Sequence, residues 1–107
     1  MIVYLASPYS HSDPAVMRER FEKICEVSAR FMRDGVNIFS PIAHTHPIAQ
    51  YGLQLGWDFW KDYDEKIIAV CGELWVCTMD GWQESKGVQA EIKIAERLEV
   101  PVRFVNP

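Results

Sequence analysis

The stretch Glu73–Val105 reads ELWVCTMDGWQESKGVQAEIKIAERLEVPVRFV, and the order of patterns within it decides the fold. Glu73–Thr78 is a short apolar run with the look of a buried strand. Asp80–Glu84 is a loop. Ser85 is placed to cap a helix, and from there Val88, Ile92, Ala95 and Leu98 share one face at ~100° per residue. Val100–Val105 is another short apolar run. Strand, amphipathic helix and strand in this order form a crossover unit, which joins parallel strands.

The rest of the chain repeats the unit. Met1–Ala6 (MIVYLA) reads as a buried strand, and Ser7–His11 as the loop that leaves it. Asp13-Pro14 opens a helix on which Met17, Phe21, Ile24, Ser28, Phe31 and Met32 recur at helical spacing, and Asp34-Gly35 closes it. Val36–Ser40 is a second short strand. Ile42–Gly56 lacks clear periodicity and is expected to be a long, partly helical loop. Trp57–Cys71 is helical by pattern. The resulting βαβαβαβ order predicts one flavodoxin-like or Rossmann-like domain over residues 1–107. It would be a three-layer α/β/α sandwich around a four-stranded, mostly parallel sheet in the order 2-1-3-4. Ligands of such sheets sit beyond the carboxyl ends of the strands, near the point where strand order reverses. Ser7–Asp13, Pro41–Gly56 and Met79–Glu84 are the loops at those ends.

Composition narrows the function classes. Of 107 residues, 49% are apolar and 24% charged, and the net charge is −4 with no basic run. A nucleic-acid polymer, which needs phosphates neutralised by Lys and Arg, is a poor partner for this chain. A small phosphorylated ligand needs only a few donors and stays open. Cys25, Cys71 and Cys77 lie in apolar segments and read as free buried thiols. No run approaches the ~18–20 apolar residues of a membrane span, so the expectation is a cytoplasmic protein with no membrane partner. His44-Thr-His46 has no third ligand at suitable spacing, so no metal site is predicted.

Two carboxylates break the helical pattern. Glu91 falls on the apolar face between Ala95 and Leu98, while Lys86, Gln89, Lys93, Glu96 and Arg97 take the solvated arc. Asp64 falls on the face formed by Trp57, Trp60, Ile67, Ile68 and Cys71. An ionised carboxylate is costly to desolvate, so each is either well satisfied or chemically employed. Two inward carboxylates on different helices suit glycosidic chemistry, in which one attacks the anomeric carbon and another group serves the leaving base. Phe59, Tyr63 and Val70 give the Trp57–Cys71 helix a second apolar arc, the pattern of a helix that packs on another copy, so a homo-oligomer is expected through it.

Val3-Tyr4-Leu5-Ala6-Ser7-Pro8-Tyr9 at the start and Ser85-Lys86-Gly87-Val88-Gln89-Ala90-Glu91 late in the chain, with Asp64 between them, resemble the nucleoside 2-deoxyribosyltransferase superfamily. The likeness spans nearly the whole chain and is greatest to that superfamily's small bacterial and phage-type relatives. It implies that Glu91 is the nucleophile, that Tyr4 lies beside it, and that Asp64 holds the sugar or serves the base. It also implies that Ser85, with Ser7 in the opening turn, meets a 5′-phosphate. Pro8-Tyr9 stands where the nucleotide-hydrolysing branch is rich in Gly or basic residues. Gly87 belongs to the late motif, and Trp82 is placed either to stack on a base or to cover the sheet edge. The expected activity is N-glycosidic cleavage or deoxyribosyl transfer on a nucleoside or its 5′-monophosphate, through a covalent intermediate on Glu91 and without a cofactor. The alternative is a nucleotide-binding or nucleotide-sugar-binding module without turnover.

Overall fold

In the computed structural model, which describes residues 1–53 and 56–107, the elements follow the expected order with one addition. They are β1 (Val3–Ala6), α1 (Pro14–Arg33), β2 (Ile38–Phe39), α2 (Pro41–Ala49), α3 (Trp57–Ala69), β3 (Glu73–Cys77), α4 (Lys86–Arg97) and β4 (Val102–Val105). The sheet is parallel throughout and runs β2-β1-β3-β4. Tyr4 pairs with Leu74 across β1 and β3, and Leu74 with Val102 across β3 and β4.

Strand alternation assigns each side chain to a face. Val3 and Leu5 join Ile24 and Val27 of α1 in one apolar cluster. Tyr4 and Ala6 point the other way, to Ile68 of α3 and to Val88 and Ala95 of α4. Helices therefore cover both faces, giving three layers, as right-handed crossovers require when strand order reverses at β1. Burial of both faces is why β1 and β3 read as nearly continuous apolar runs rather than alternating ones.

The helix starts are set by local chemistry. The Asp13 carboxylate accepts from Ala15 N at 2.9 Å, with Pro14 in the first turn. Ser85 Oγ accepts from Val88 N at 3.2 Å. Gly35, at φ +86°, supplies the left-handed turn that ends α1.

Beyond shifts of one or two residues at the ends of β1, α3, β3 and β4, two segments differ from expectation. The second strand shrinks to Ile38–Phe39, because β2 is an edge strand with only two residues in register with β1. The aperiodic segment contains a full helix, α2, opened by Ser40 Oγ accepting from Ala43 N at 3.1 Å. α2 has no helical periodicity because it lies against α1 and the end of β1 rather than on an apolar sheet face. Pro47 sits inside it beyond the first turn. Gln54 and Leu55, within the expected loop, lie outside the described residues. Among the described residues no helix is long and apolar enough to cross a membrane. Cys25, Cys71 and Cys77 are free thiols.

The central strand β3 should dominate stability. Leu74 is fully buried, so Leu74→Ala should cost about 2–5 kcal/mol in urea unfolding. Val70→Ala, at a position 75% exposed, should stay within about 0.5 kcal/mol.

Candidate functional site

Tyr4 stands on β1 facing α3 and α4, and the two misplaced carboxylates come to it. The Tyr4 hydroxyl donates a hydrogen bond to Glu91 Oε2 of α4. Asp64 of α3 is close enough for the same hydroxyl to lower its pKa and for its charge to raise that of Glu91. Tyr4 is fully buried, Glu91 is 5% exposed and Asp64 7%. The helical arcs that bring both carboxyls inward thus converge on one phenol.

The electrostatics follow from burial. Glu91 is pushed up to about 8, first by desolvation, with the Tyr4 hydrogen bond opposing and Asp64 adding to the rise. Asp64 is raised to about 6 by desolvation, with Tyr4 opposing. Tyr4 lies well above its ordinary value, through burial and then the two neighbouring carboxylates. It therefore remains a hydrogen-bond donor across the working range. The carboxyl pair titrates as a unit and holds one proton between about pH 6 and 8. Asp64 Oδ1 is buried with no partner among the described residues. Such an atom carries a desolvation cost that a bound hydroxyl or N–H would relieve.

The remaining predicted residues cluster at the carboxyl end of the sheet. Ser7 is buried at the end of β1, and its Oγ also has no described partner. Pro8 is buried beside it. Tyr9 is half-buried, and its hydroxyl meets His46 Nδ1 at 2.6 Å. Ser85 caps α4, so its oxygen is engaged while its own hydrogen remains to donate. At Gly87 an added Cβ would lie 3.8 Å from the Trp57 ring, so this turn of α4 passes the start of α3. Trp82 packs against Phe104 of β4 at 5.5 Å between ring centroids and on the apolar cluster beneath α4. Those contacts are the ones that cover a sheet edge.

Three contacts are not legible in the sequence, although His46 and Trp57 themselves stand in its patterns. His46 stacks on Phe21 at 4.1 Å and holds the Tyr9 hydroxyl; burial, then Arg18, lowers its pKa. Arg20 Nη1 donates to the carbonyls of Tyr9 at 3.4 Å and Ser10 at 3.0 Å. Trp57 adjoins Gly87. All three join distant segments, and only Gly81 hints at one of them, as a loop glycine beside a guanidinium. Arg18 pairs with Glu22 at 3.1 Å on the surface. His44 Nε2 meets the Tyr63 hydroxyl at 3.2 Å. Among the described residues no cluster of His, Cys, Asp and Glu has the makings of a metal site.

A parallel α/β domain with a phenol and two carboxyls in its core, below the loops of the strand-order reversal, is the class that fold and site define. Within that class the chain belongs to the family described as "Domain of unknown function (DUF1937)", whose profile matches residues 1–106. Comparison with curated proteins gives no match.

Burial of the carboxyls links stability to pH. Both have folded values above their ordinary 4.5 and 3.8, so the neutral forms are favoured by the fold. Their contribution is whole below about pH 4 and is lost as pH rises through about 6 and then about 8, at up to ~1.4 kcal/mol per pH unit for each carboxyl. Unfolding free energy should therefore fall between pH 5 and 8.5, and Glu91→Gln should flatten the upper part of that curve. Equal slopes in the two proteins would remove Glu91 as the source.

Proposed function

We propose that the protein cleaves or transfers the N-glycosidic bond of a deoxynucleoside or its 5′-monophosphate. The observation that carries this reading is the pairing of a buried nucleophile candidate, Glu91, with a donor that aims it, Tyr4, and a second carboxyl, Asp64, sharing their environment. The likeness of the opening and late motifs to nucleoside 2-deoxyribosyltransferases supports the same reading.

By these values the proton of the resting pair lies on Glu91 and Asp64 is ionised, so the reaction runs from the tautomer in which the charge is on Glu91, held by the Tyr4 hydroxyl, and the proton on Asp64. A Glu91 oxygen attacks C1′, the C1′–N bond breaks, and its electron pair leaves with the base, which takes the proton from Asp64. Water or a second base then attacks C1′ and releases Glu91; the Asp64 carboxylate accepts the proton of the attacking group. Tyr4 stays protonated throughout and orients the nucleophile.

A specific observation favours a second reading, a nucleotide-binding module without turnover. Cavities of about 560 and 780 Å3 lie between α2 and α3 and along β2, and neither is lined by Tyr4, Asp64 or Glu91. Tyr4, Glu91 and Asp64 are at most 7% exposed, so the enzyme reading requires the core site to open to substrate. Base release from a panel of deoxynucleosides and their 5′-monophosphates separates the two, because a module binds without releasing base.

Glu91→Gln should lower base release by at least a hundredfold while preserving the fold; retention of more than a tenth of wild-type turnover would sink the assignment. The pH profile of kcat/KM should be a bell with its maximum between about 6 and 8, the range in which the pair holds one proton. Asp64→Asn should remove the alkaline limb and leave a single rise with pH.

The same proposal places a second copy on α3 and its C-cap, where Phe59, Tyr63 and Val70 form an exposed apolar arc. Light scattering at micromolar concentration should give the mass of a dimer or larger, and a monomeric mass would refute that interface.

A further inference from the structure

Arg20 lies across the mouth of the sheet rather than out in solvent. Its helix, α1, covers the opposite face from Tyr4 and Glu91, yet its guanidinium reaches the carboxyl ends of both central strands. Nη1 donates to the main-chain carbonyls of Tyr9 and Ser10 in the loop after β1. Nη2 lies at Gly81 in the loop after β3, where an added Cβ would be 2.5 Å from it. Gly81 holds φ +90°, a conformation that L side chains rarely adopt, so the turn is shaped to admit the guanidinium on two counts.

No carboxylate pairs with Arg20 among the described residues, although the chain has an acidic excess. A guanidinium carries five N–H donors, and its described partners here are two neutral carbonyls on one nitrogen. A half-buried cation with donors to spare, between the loops of β1 and β3, stands where open α/β sheets take their ligands. The Ser7 hydroxyl, buried at the end of β1 without a partner, is a second unsatisfied polar group on the same loop.

From this placement we infer that Arg20 is the anion-recognition residue of the site and selects a phosphate-bearing ligand, a nucleoside 5′-monophosphate, over the free nucleoside. The inference rests on the proposed nucleotide chemistry and deepens it by assigning the ligand's charged end. Planar, bidentate recognition of phosphate is what a guanidinium does better than an ammonium. The carbonyls of Tyr9 and Ser10 hold the group in place, so little side-chain freedom is lost on binding.

The test is equilibrium binding, measured without reference to turnover. Calorimetry with matched deoxynucleosides and 5′-monophosphates is run on wild type, Arg20→Lys and Arg20→Met, each first shown to be folded by its thermal transition. The wild type should bind the monophosphate at least tenfold better than the nucleoside. Arg20→Met should lower monophosphate affinity at least tenfold more than nucleoside affinity and so erase that preference, and Arg20→Lys should retain part of it. A variant that weakens both ligands equally would mark Arg20 as a structural strap and overturn the inference, as would a preference that survives in Arg20→Met. If Arg20→Met does not fold, raising salt should weaken monophosphate binding to wild type and spare nucleoside binding; equal dependence overturns the assignment. Turnover of free nucleosides with no monophosphate preference would also overturn it while leaving the glycosidic reading intact. Base release lost in Glu91→Gln is the separate criterion for that reading.

Discussion

The layer between the sheet and helices α3 and α4 is arranged around one hydrogen bond, from the Tyr4 phenol on β1 to the Glu91 carboxyl on α4. Two carboxyls in an apolar layer are an energetic burden, and a well-packed core would be more stable without them. The phenol makes the burden bearable. It supplies a neutral donor, adds no charge, and remains protonated because burial, and then the carboxylates beside it, oppose its ionisation. Sheet and helix are thereby joined by a polar contact with a definite direction, where side-chain packing alone would tolerate sliding. The positions of α3 and α4 against the sheet follow, since Asp64 must approach the same hydroxyl from the other helix.

Much of this arrangement can be read in the amino-acid order, for a geometric reason. Helical period converts sequence position into direction, so Glu91 between Ala95 and Leu98 had to face inward once α4 packed on the sheet. Asp64 followed from the same arithmetic. Strand order is similarly legible because crossovers have one hand and the chain alternates regularly between strand and helix. α2 is illegible because it buries little against the sheet and carries Pro47. Arg20 and His46 are illegible for a different reason. Each acts through partners far along the chain, Arg20 at Gly81 and His46 at Tyr9, and no local pattern encodes such a meeting. The length of β2 was also hidden: an edge strand extends only as far as its single neighbour accompanies it.

The loop after β1 is anchored more firmly than its composition implies. Tyr9 is held by its side chain through His46 and by its carbonyl through Arg20, and Pro8 is packed inside. His46 in turn lies flat on Phe21 of α1. Loops at a site are often the mobile part of a rigid scaffold. Here the first loop is tied to α1 and α2 and behaves as an extension of the scaffold.

The shortness of β2 bears on how copies of this chain can meet. A sheet edge is a row of unpaired main-chain donors and acceptors, and it invites a strand from another molecule. β2 presents only Ile38 and Phe39, too brief a row to template a lasting ladder. At the other edge, β4 follows Pro101, which has no N–H to give, and bears Arg103, whose guanidinium is drawn back to Glu73 at 3.7 Å and toward the Trp75 ring. The sheet is thus blunted at one margin and guarded by charge at the other. Growth into a continuous intermolecular sheet is therefore disfavoured at both margins.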